Sequence, residues 1–172
     1  MKTGSTLLIT AILFCLAGLH ASTSMADTPA PMGDKAKKPA LKKRKPITCE
    51  GTKDVVLDKV IIEAEGPAVT ILGSCDVTIK NSVIRTTGSA VVINASGDVT
   101  IIDSTVESKD TALLIRGSGD IDVRGSQITG ATAARIDGSG DLVARDSRFR
   151  GRKVIRGTGE YKDSGGNTWQ PK

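Results

Sequence analysis

Residues 73–116 read GSCDVTIKNSVIRTTGSAVVIN followed by ASGDVTIIDSTVESKDTALLIR, which are two consecutive copies of one 22-residue pattern. Each copy has an aspartate in fourth place, Asp76 and Asp98, and an apolar residue directly after it. A fixed period that continues along most of a chain indicates one structural unit stacked repeatedly on itself. This stretch therefore decides the fold.

The same acid recurs on both sides of this stretch. The acids of the column are Asp54, Asp76, Asp98, Asp120, Asp141 and Glu160. The interval between them is 22 residues as far as Asp120, and it then shrinks to 21 and to 19 residues. Repeats thus fill the chain from about residue 51 onward, and the last copies are shortened.

Apolar residues within each copy lie two positions apart, as do Val77 and Ile79, or Val91 and Ile93. Short runs rich in Val and Ile and bounded by Gly, Ser and Asp are typical of short strands joined by tight turns. Each copy therefore predicts about three strands. One copy alone buries too few side chains to offset the entropy of ordering its backbone. Successive copies must stack, with equivalent residues about 4.8 Å apart in parallel strands.

The repeat resembles that of the right-handed parallel β-helix proteins of the pectate-lyase-like superfamily. The resemblance rests on the G-S-G-D corners at Gly117 to Asp120 and Gly138 to Asp141, and on the D-V-T-I strands at Asp76 to Ile79 and Asp98 to Ile101. It covers roughly residues 49–169. It implies an all-β solenoid of about five to six coils with a repeat of roughly 22 residues. Since the matching columns are packing and turn positions, it implies little about activity.

Residues 1–26 predict a secretory signal peptide. Lys2 precedes an apolar run from Leu7 to Leu19, and Ser24-Met25-Ala26 provides a cleavage site of small residues before Asp27. The apolar run is short for a membrane span. The sequence therefore predicts a secreted or periplasmic protein with no stable membrane insertion after cleavage, and an uncleaved anchor is the alternative.

Residues 27–46 predict a disordered basic tether. This segment holds four of the six prolines, seven basic residues and two acidic ones, without apolar periodicity. Residues 47–141 hold 14 acidic residues against eight basic ones, whereas residues 142–172 hold eight basic residues against three acidic ones. We therefore expect one β-helix domain over residues 47–172, with an acidic body between two basic extensions.

Two cysteines remain once the predicted signal peptide is removed. Cys75 lies directly before the corner residue Asp76, and Cys49 precedes the first coil. In an oxidising compartment an even number of cysteines is more often bridged than free. We expect a disulfide between Cys49 and Cys75 that ties the entry segment to the second coil. The alternative is two unbridged side chains.

The aspartate column raises the question of a calcium site. Calcium takes six to eight oxygen ligands, and one acid per coil supplies few of them. Aspartate after glycine at a tight turn more often accepts hydrogen bonds from backbone N–H groups of the turn. We expect this structural role and no bound metal, with calcium binding as the alternative.

The mature chain offers little for catalysis. The one histidine of the full sequence, His20, lies inside the predicted signal peptide, so we expect the mature chain to lack acid–base or triad chemistry that depends on histidine. The carboxylates that a glycosidase would need are Asp103, Asp120, Asp122 and Asp146. Because each of them lies at a regular position of the repeat, we expect no enzymatic activity and no cofactor. A degenerate or small polysaccharide lyase or hydrolase is one alternative function.

Basic residues cluster near the end of the chain, partly on predicted strands. The candidate residues for binding an anion or a glycan are Arg145, Arg148, Arg150, Arg152, Lys153 and Arg156. Such a cluster suits an anionic polysaccharide or a cell envelope, whereas nucleic acid is a poor partner for a secreted chain with so few aromatic residues. We expect a non-catalytic module that binds anionic glycan or a cell surface. A structural protein that self-associates head to tail through its coil ends is the other alternative.

Overall fold

The computed structural model describes residues 40–171, which form an all-β parallel solenoid of about six turns. The expected right-handed β-helix with a repeat of about 22 residues is confirmed. Each coil has three faces. Across the described range, no helix is long and apolar enough to be a candidate membrane span.

Face 1 holds one strand per coil, and its six strands pair in parallel. These strands are β3 (Val55–Asp58), β6 (Val77–Lys80), β9 (Val99–Ile102), β12 (Ile121–Arg124), β14 (Leu142–Arg145) and β16 (Tyr161–Asp163).

Faces 2 and 3 belong to one 11-stranded sheet because two long strands bend from one face to the other. Face 2 contains β1 (Lys42–Arg44), β4 (Val60–Ala64), β7 (Val83–Thr86), β10 (Thr105–Ser108) and β17 (Thr168–Gln170). Face 3 contains β2 (Ile47–Cys49), β5 (Val69–Ile71), β8 (Val91–Ile93) and β11 (Thr111–Ile115). The bent strands are β13 (Gln127–Ile136) and β15 (Arg148–Ile155).

The shortening of the last repeats occurs at the bend between faces 2 and 3. Strand register aligns Glu107 with Thr129 and Arg150, and it aligns Thr111 with Thr132 and Arg152. The two aligned positions are therefore four residues apart in the third coil, three in the fourth and two in the fifth. As the corner loses residues, the strands on its two sides merge into β13 and then β15.

The core consists of the inward-facing columns of all three faces. In one coil Val77, Ile79, Ile84, Val91 and Ile93 are at most 1% exposed. Burial of each such side chain contributes roughly 1.5 to 3 kcal/mol. Stacking thus provides the continuous core that a single repeat lacks.

A ladder of buried serines runs beside this core. Its members are Ser82, Ser104, Ser126 and Ser147. The Oγ of Ser104, for example, accepts the N–H of Ser82 at 3.0 Å and donates to the carbonyl of Ile102 at 2.7 Å. Asn167 ends the ladder, because its Oδ1 accepts the N–H of Ser147 at 2.9 Å. Each hydroxyl of this serine ladder therefore has both a donor and an acceptor partner.

The aspartate column forms a second ladder, on the solvent side of a corner. The N–H of Asp98 donates to Oδ1 of Asp76 at 2.9 Å, and the N–H of Asp120 donates to Oδ1 of Asp98 at 2.7 Å. The same contact recurs from Asp54 up to Glu160. The carboxylates from Asp54 to Asp141 thus accept backbone hydrogen bonds as expected, but the donor is the corner N–H of the following coil and not one of the same turn. Within residues 40–171 no group of three or more His, Cys, Asp or Glu side chains is placed to hold a metal ion.

The expected disulfide joins Cys49 and Cys75, whose Cα atoms are 6.3 Å apart. Both cysteines are buried, at 3% and 0% exposure. Later coils have glycine at the position of Cys75, and a Cβ on Gly97 would lie only 2.1 Å from the carbonyl oxygen of Cys75. The bridge therefore occupies the corner that the other coils close with glycine.

Part of the predicted tether is ordered as strand β1. Lys42–Arg44 pairs in parallel with β4, with Lys42 opposite Val60 and Arg44 opposite Ile62. The prediction of disorder is wrong for these three residues, because the edge of β4 has unpaired backbone groups that an extended segment can satisfy. Residues 27–39 of the predicted tether and the predicted signal peptide lie outside the described residues.

Candidate functional site

The structure places all six candidate basic residues in a single coil, residues 138–156, and all six are exposed. They are distributed over its three faces: Arg145 on face 1, Arg148 and Arg150 on face 2, Arg152 and Lys153 after the bend of β15, and Arg156 beyond β15. The cluster seen in the sequence is therefore a ring around the solenoid rather than one patch.

Lys153 differs from the five arginines. Its register partner is Ala134 of the core, so it occupies an inward-facing column. Its Nζ lies 4.3 Å from the ring centroid of Tyr161 and 5.2 Å from that of Trp169. A cation in this position is attracted by the faces of both rings. Lys153 therefore belongs to the aromatic cluster and is separated from the arginines on face 2.

The aromatic cluster supports the last coils from inside. The rings of Phe149 and Trp169 stack with centroids 4.5 Å apart, and Tyr161 meets both edge to face. The Nε1–H of Trp169 donates to the carbonyl of Gly151 at 2.8 Å, which fixes the indole beneath β15. Burial, with a smaller contribution from Asp163, raises the pKa of the Tyr161 hydroxyl. The backbone of Arg148 and Arg150, on either side of Phe149, is thereby held on a packed base.

Arg148 and Arg150 lie in a groove on face 2 with a cavity volume of about 320 Å³. The lining residues of this face-2 groove are Gln127, Thr129, Arg148, Phe149, Arg150, Thr168 and Gln170. Register places Arg148 between Gln127 and Thr168, and Arg150 between Thr129 and Gln170. Neighbouring coils are about 4.8 Å apart, and alternate residues of a strand are about 6.6 Å apart. The outward side chains thus form a grid of three rows and two columns with the arginines in the middle row.

The two arginines of the groove carry charges that no acid neutralises. Among residues 40–171, neither Arg148 nor Arg150 forms an ion pair. Arg85, in the same column as Arg150, does pair, since its Nε lies 2.9 Å from Glu107. Arg124 is likewise bound by Asp122, whose hydrogen bond and charge raise the pKa of that guanidinium. The groove therefore presents two guanidinium groups free to bind an anion.

A second recess of about 370 Å³ extends the groove around the corner toward face 1. It shares Gln127, Arg148 and Thr168 with the groove, and it adds Asp146 to the lining. Asp146 has a positive φ of 49°, and Asp103 has a φ of 46° in the equivalent turn of the third coil. Because the recess contains the carboxylate of Asp146, the positively charged surface of the groove ends on the side of face 1.

The acidic residues considered for catalysis have structural partners in two of four cases. Asp120 accepts the N–H of Asp141 at 2.7 Å, and Asp122 binds Arg124. Asp103 and Asp146 lie in the left-handed turns between faces 1 and 2. The contacts of Asp120 and Asp122 therefore stabilise the coil.

Sequence reasoning identified the arginines of the groove but missed its neutral lining. Gln127 and Thr168 occupy the repeat position of Arg148, and Thr129 and Gln170 occupy that of Arg150. The neutral lining could have been predicted from the inward column of Ile128, Phe149 and Trp169. Residues on either side of this inward column must face outward together.

A comparison with protein-family models matches residues 47–167 to the model described as "Right handed beta helix region". No curated protein and no solved structure matches the chain.

Proposed function

The chain belongs to the right-handed β-helix family, and from that premise we propose that it is a non-catalytic module that binds anionic polysaccharide in the cell envelope or outside the cell. The observation that carries the proposal is the face-2 groove, with two unpaired arginines between rows of glutamine and threonine. Guanidinium groups bind carboxylate or sulfate with two parallel hydrogen bonds. Amide and hydroxyl groups offer both donors and acceptors to sugar hydroxyls. The groove therefore combines the two kinds of contact that a charged glycan needs.

The disulfide supports a location outside the reducing cytoplasm. Disulfides such as Cys49–Cys75 persist in secreted and periplasmic proteins and are rare in the cytosol. An envelope or extracellular polysaccharide is the polyanion that such a location brings into contact with the groove.

The charges at the two ends of the coil favour this role over head-to-tail assembly. At one end Lys42 and Arg44 occupy positions opposite the inward residues Val60 and Ile62. At the other end Lys153 covers Tyr161 and Trp169. Charged residues at inward positions are a common protection of sheet edges.

Binding is tested with the purified protein and three polymers of matched length, namely alginate, dextran sulfate and neutral dextran. Calorimetry at low salt is expected to show binding to the two anionic polymers that weakens as salt increases. Arg148→Gln with Arg150→Gln should abolish most of this binding. The matched control is Arg85→Gln, which removes an arginine from the same column where Glu107 already neutralises it. Equal binding of dextran and alginate would contradict the proposal.

The absence of catalysis is tested by prolonged incubation with the same polymers. We expect no new reducing ends and no unsaturated products. Release of either product by the wild-type protein, and its loss in Asp103→Asn or Asp146→Asn, would replace the binding role with an enzymatic one.

A further inference from the structure

The five exposed arginines of residues 138–156 define an arginine belt around one coil. Its members are Arg145, Arg148, Arg150, Arg152 and Arg156. None of them forms an ion pair within residues 40–171, whereas three of the four arginines of the earlier coils, Arg85, Arg124 and Arg135, do, and Arg116 does not. Resting on the proposed function, we propose that the polysaccharide lies across the solenoid, along strand β15 from Arg148 to Arg152, and does not follow the solenoid axis.

The first step of the argument is the continuity of β15. This strand runs from Arg148 through the bend to Ile155, and Gly151 at φ 136° allows the turn between the two faces. Arg148 and Arg150 occupy alternate positions before the bend and are about 6.6 Å apart along the strand, and Arg152 follows Gly151 directly after the bend. In the third coil the equivalent of the last interval, from Glu107 to Thr111, spans four residues. The shortened corner therefore leaves one residue, Gly151, between Arg150 on face 2 and Arg152 after the bend.

The second step is the charge met along the solenoid axis. The column of Arg150 continues through Thr129 to Glu107, and the column of Arg148 continues through Gln127 to Thr105. The next charged residue along the first column is Glu107, two coils away at about 9.6 Å, and its carboxylate already pairs with Arg85. Within the described residues, neither column therefore offers a polyanion a further free positive charge along the axis, whereas the strand continues to Arg152.

The third step of the argument is where the contact between β15 and the polysaccharide ends on each side. Toward face 1 the recess beside Arg148 contains the carboxylate of Asp146. Beyond Arg152, the outward side chain of Val154 carries no charge, and Arg156 follows the end of the strand. The ligand segment in contact is thus short and carries neighbouring anionic groups, as in a polyuronate or a densely sulfated glycan.

The experiment measures affinity for fluorescently labelled alginate oligosaccharides of increasing length. Arg152→Gln is expected to weaken binding about threefold to fivefold, the range of one exposed ion pair. Thr105→Arg, which extends the arginine column along the axis, should change affinity less than twofold. Uronic acid monomers should not bind, and affinity should stop rising once the oligosaccharide covers Arg148 to Arg152. Thermal melting of each variant checks that the fold is retained.

The opposite pair of results, a gain for Thr105→Arg and no loss for Arg152→Gln, would overturn the orientation while leaving glycan binding intact. Failure of the wild-type protein to bind any anionic oligosaccharide would overturn the proposed function and the orientation together. Tighter binding of an oligothymidylate of equal charge would overturn the assignment to glycan. Loss of affinity in Arg152→Gln together with an unchanged Thr105→Arg supports the inference.

Discussion

The two halves of face 2 use the same backbone positions in opposite ways. In the first half Lys43 and Arg85 bind Glu63 and Glu107, so the charges are paired from coil to coil. In the second half the same column holds Arg150 between two neutral residues. The outer surface of one coil thus carries either a ladder of ion pairs or unpaired arginines, according to the residues in the coils directly above and below it.

Stability alone does not account for this difference. The side chains of Arg85 and Glu107 remain 50% and 47% exposed. An exposed ion pair of this kind contributes about 0 to 1 kcal/mol. Leaving Arg150 without an acidic neighbour therefore costs the fold little, and it gives the second half a charge that a ligand can use.

The largest expected effect comes from the residue under the groove. Phe149→Ala should lower the free energy of unfolding by about 3 to 5 kcal/mol, because a buried aromatic ring is lost. Ile84→Ala, at the same inward position under the paired half, should cost about 2 to 5 kcal/mol. Urea denaturation and glycan binding are measured for both. We expect Phe149→Ala to lose binding and Ile84→Ala to keep it, and equal affinity of the two variants would contradict the comparison.

A second substitution gives the unpaired arginine in the second half of face 2 an acidic neighbour. Thr129→Glu places a carboxylate opposite Arg150 in the neighbouring strand. Affinity for alginate should fall about tenfold, which corresponds to about 1.4 kcal/mol. Thr129→Gln is the control of similar size without charge, and it should leave affinity nearly unchanged. A loss of the same size in both variants would show that bulk, and not pairing, is responsible.

The converse substitution opens the paired half. Glu107→Gln frees Arg85, and in the background of Arg148→Gln with Arg150→Gln it should restore about threefold of the lost affinity. The free energy of unfolding should fall by at most about 1 kcal/mol. Binding is measured by calorimetry at low salt. No recovery would indicate that a free arginine on face 2 is insufficient without the surrounding Gln and Thr side chains.

The smallest expected effect is the response of the second half to acid. The hydrogen bonds from Lys162 and from the N–H of Glu160 lower the pKa of Asp141, and those from Gly165 and Asn167 lower the pKa of Asp163. A carboxylate whose pKa is lower in the folded state stabilises the fold above its unfolded pKa of about 3.9. This stability is lost as the pH falls through the folded pKa.

Hydrogen exchange followed by segment from pH 7 to pH 3 measures this effect. We expect protection of residues 141–170 to decrease as the pH falls below about 4. Asp141→Asn should be less stable at neutral pH and should show a weaker dependence on acid. A pH dependence identical to that of the wild-type protein would exclude Asp141 as a contributor.

Periodicity was sufficient to predict the solenoid, because the packing columns recur at constant spacing. The repeat also located the corner acids, and the two cysteines that follow the predicted signal peptide predicted the bridge. It was insufficient for β1, since Lys42–Arg44 has the composition of a tether and gains its structure from the edge of β4. Secretion, glycan binding and the absence of catalysis remain predictions.

The candidate site was predicted in part. Arg148 and Arg150 were identified from charge, but Lys153 was grouped with them although it lies in an inward column. The reason is the lost residues at the bend, which change which positions face outward. Neutral neighbours such as Gln127 and Thr168 become visible only when coils are aligned in space.

The two corner ladders run in opposite directions. The N–H of Asp98 reaches back to the previous coil, whereas the N–H of Ser82 reaches forward to the next one. Every interior coil therefore offers its neighbours the same donors and acceptors on both sides. A gene duplication that inserts one whole coil between two interior coils would leave each corner donor with a partner, since the ladder contacts persist at spacings of 22, 21 and 19 residues. An insertion of part of a coil would break both ladders. Solenoid length can thus evolve in whole coils, while the arginine belt stays with the coil that carries it.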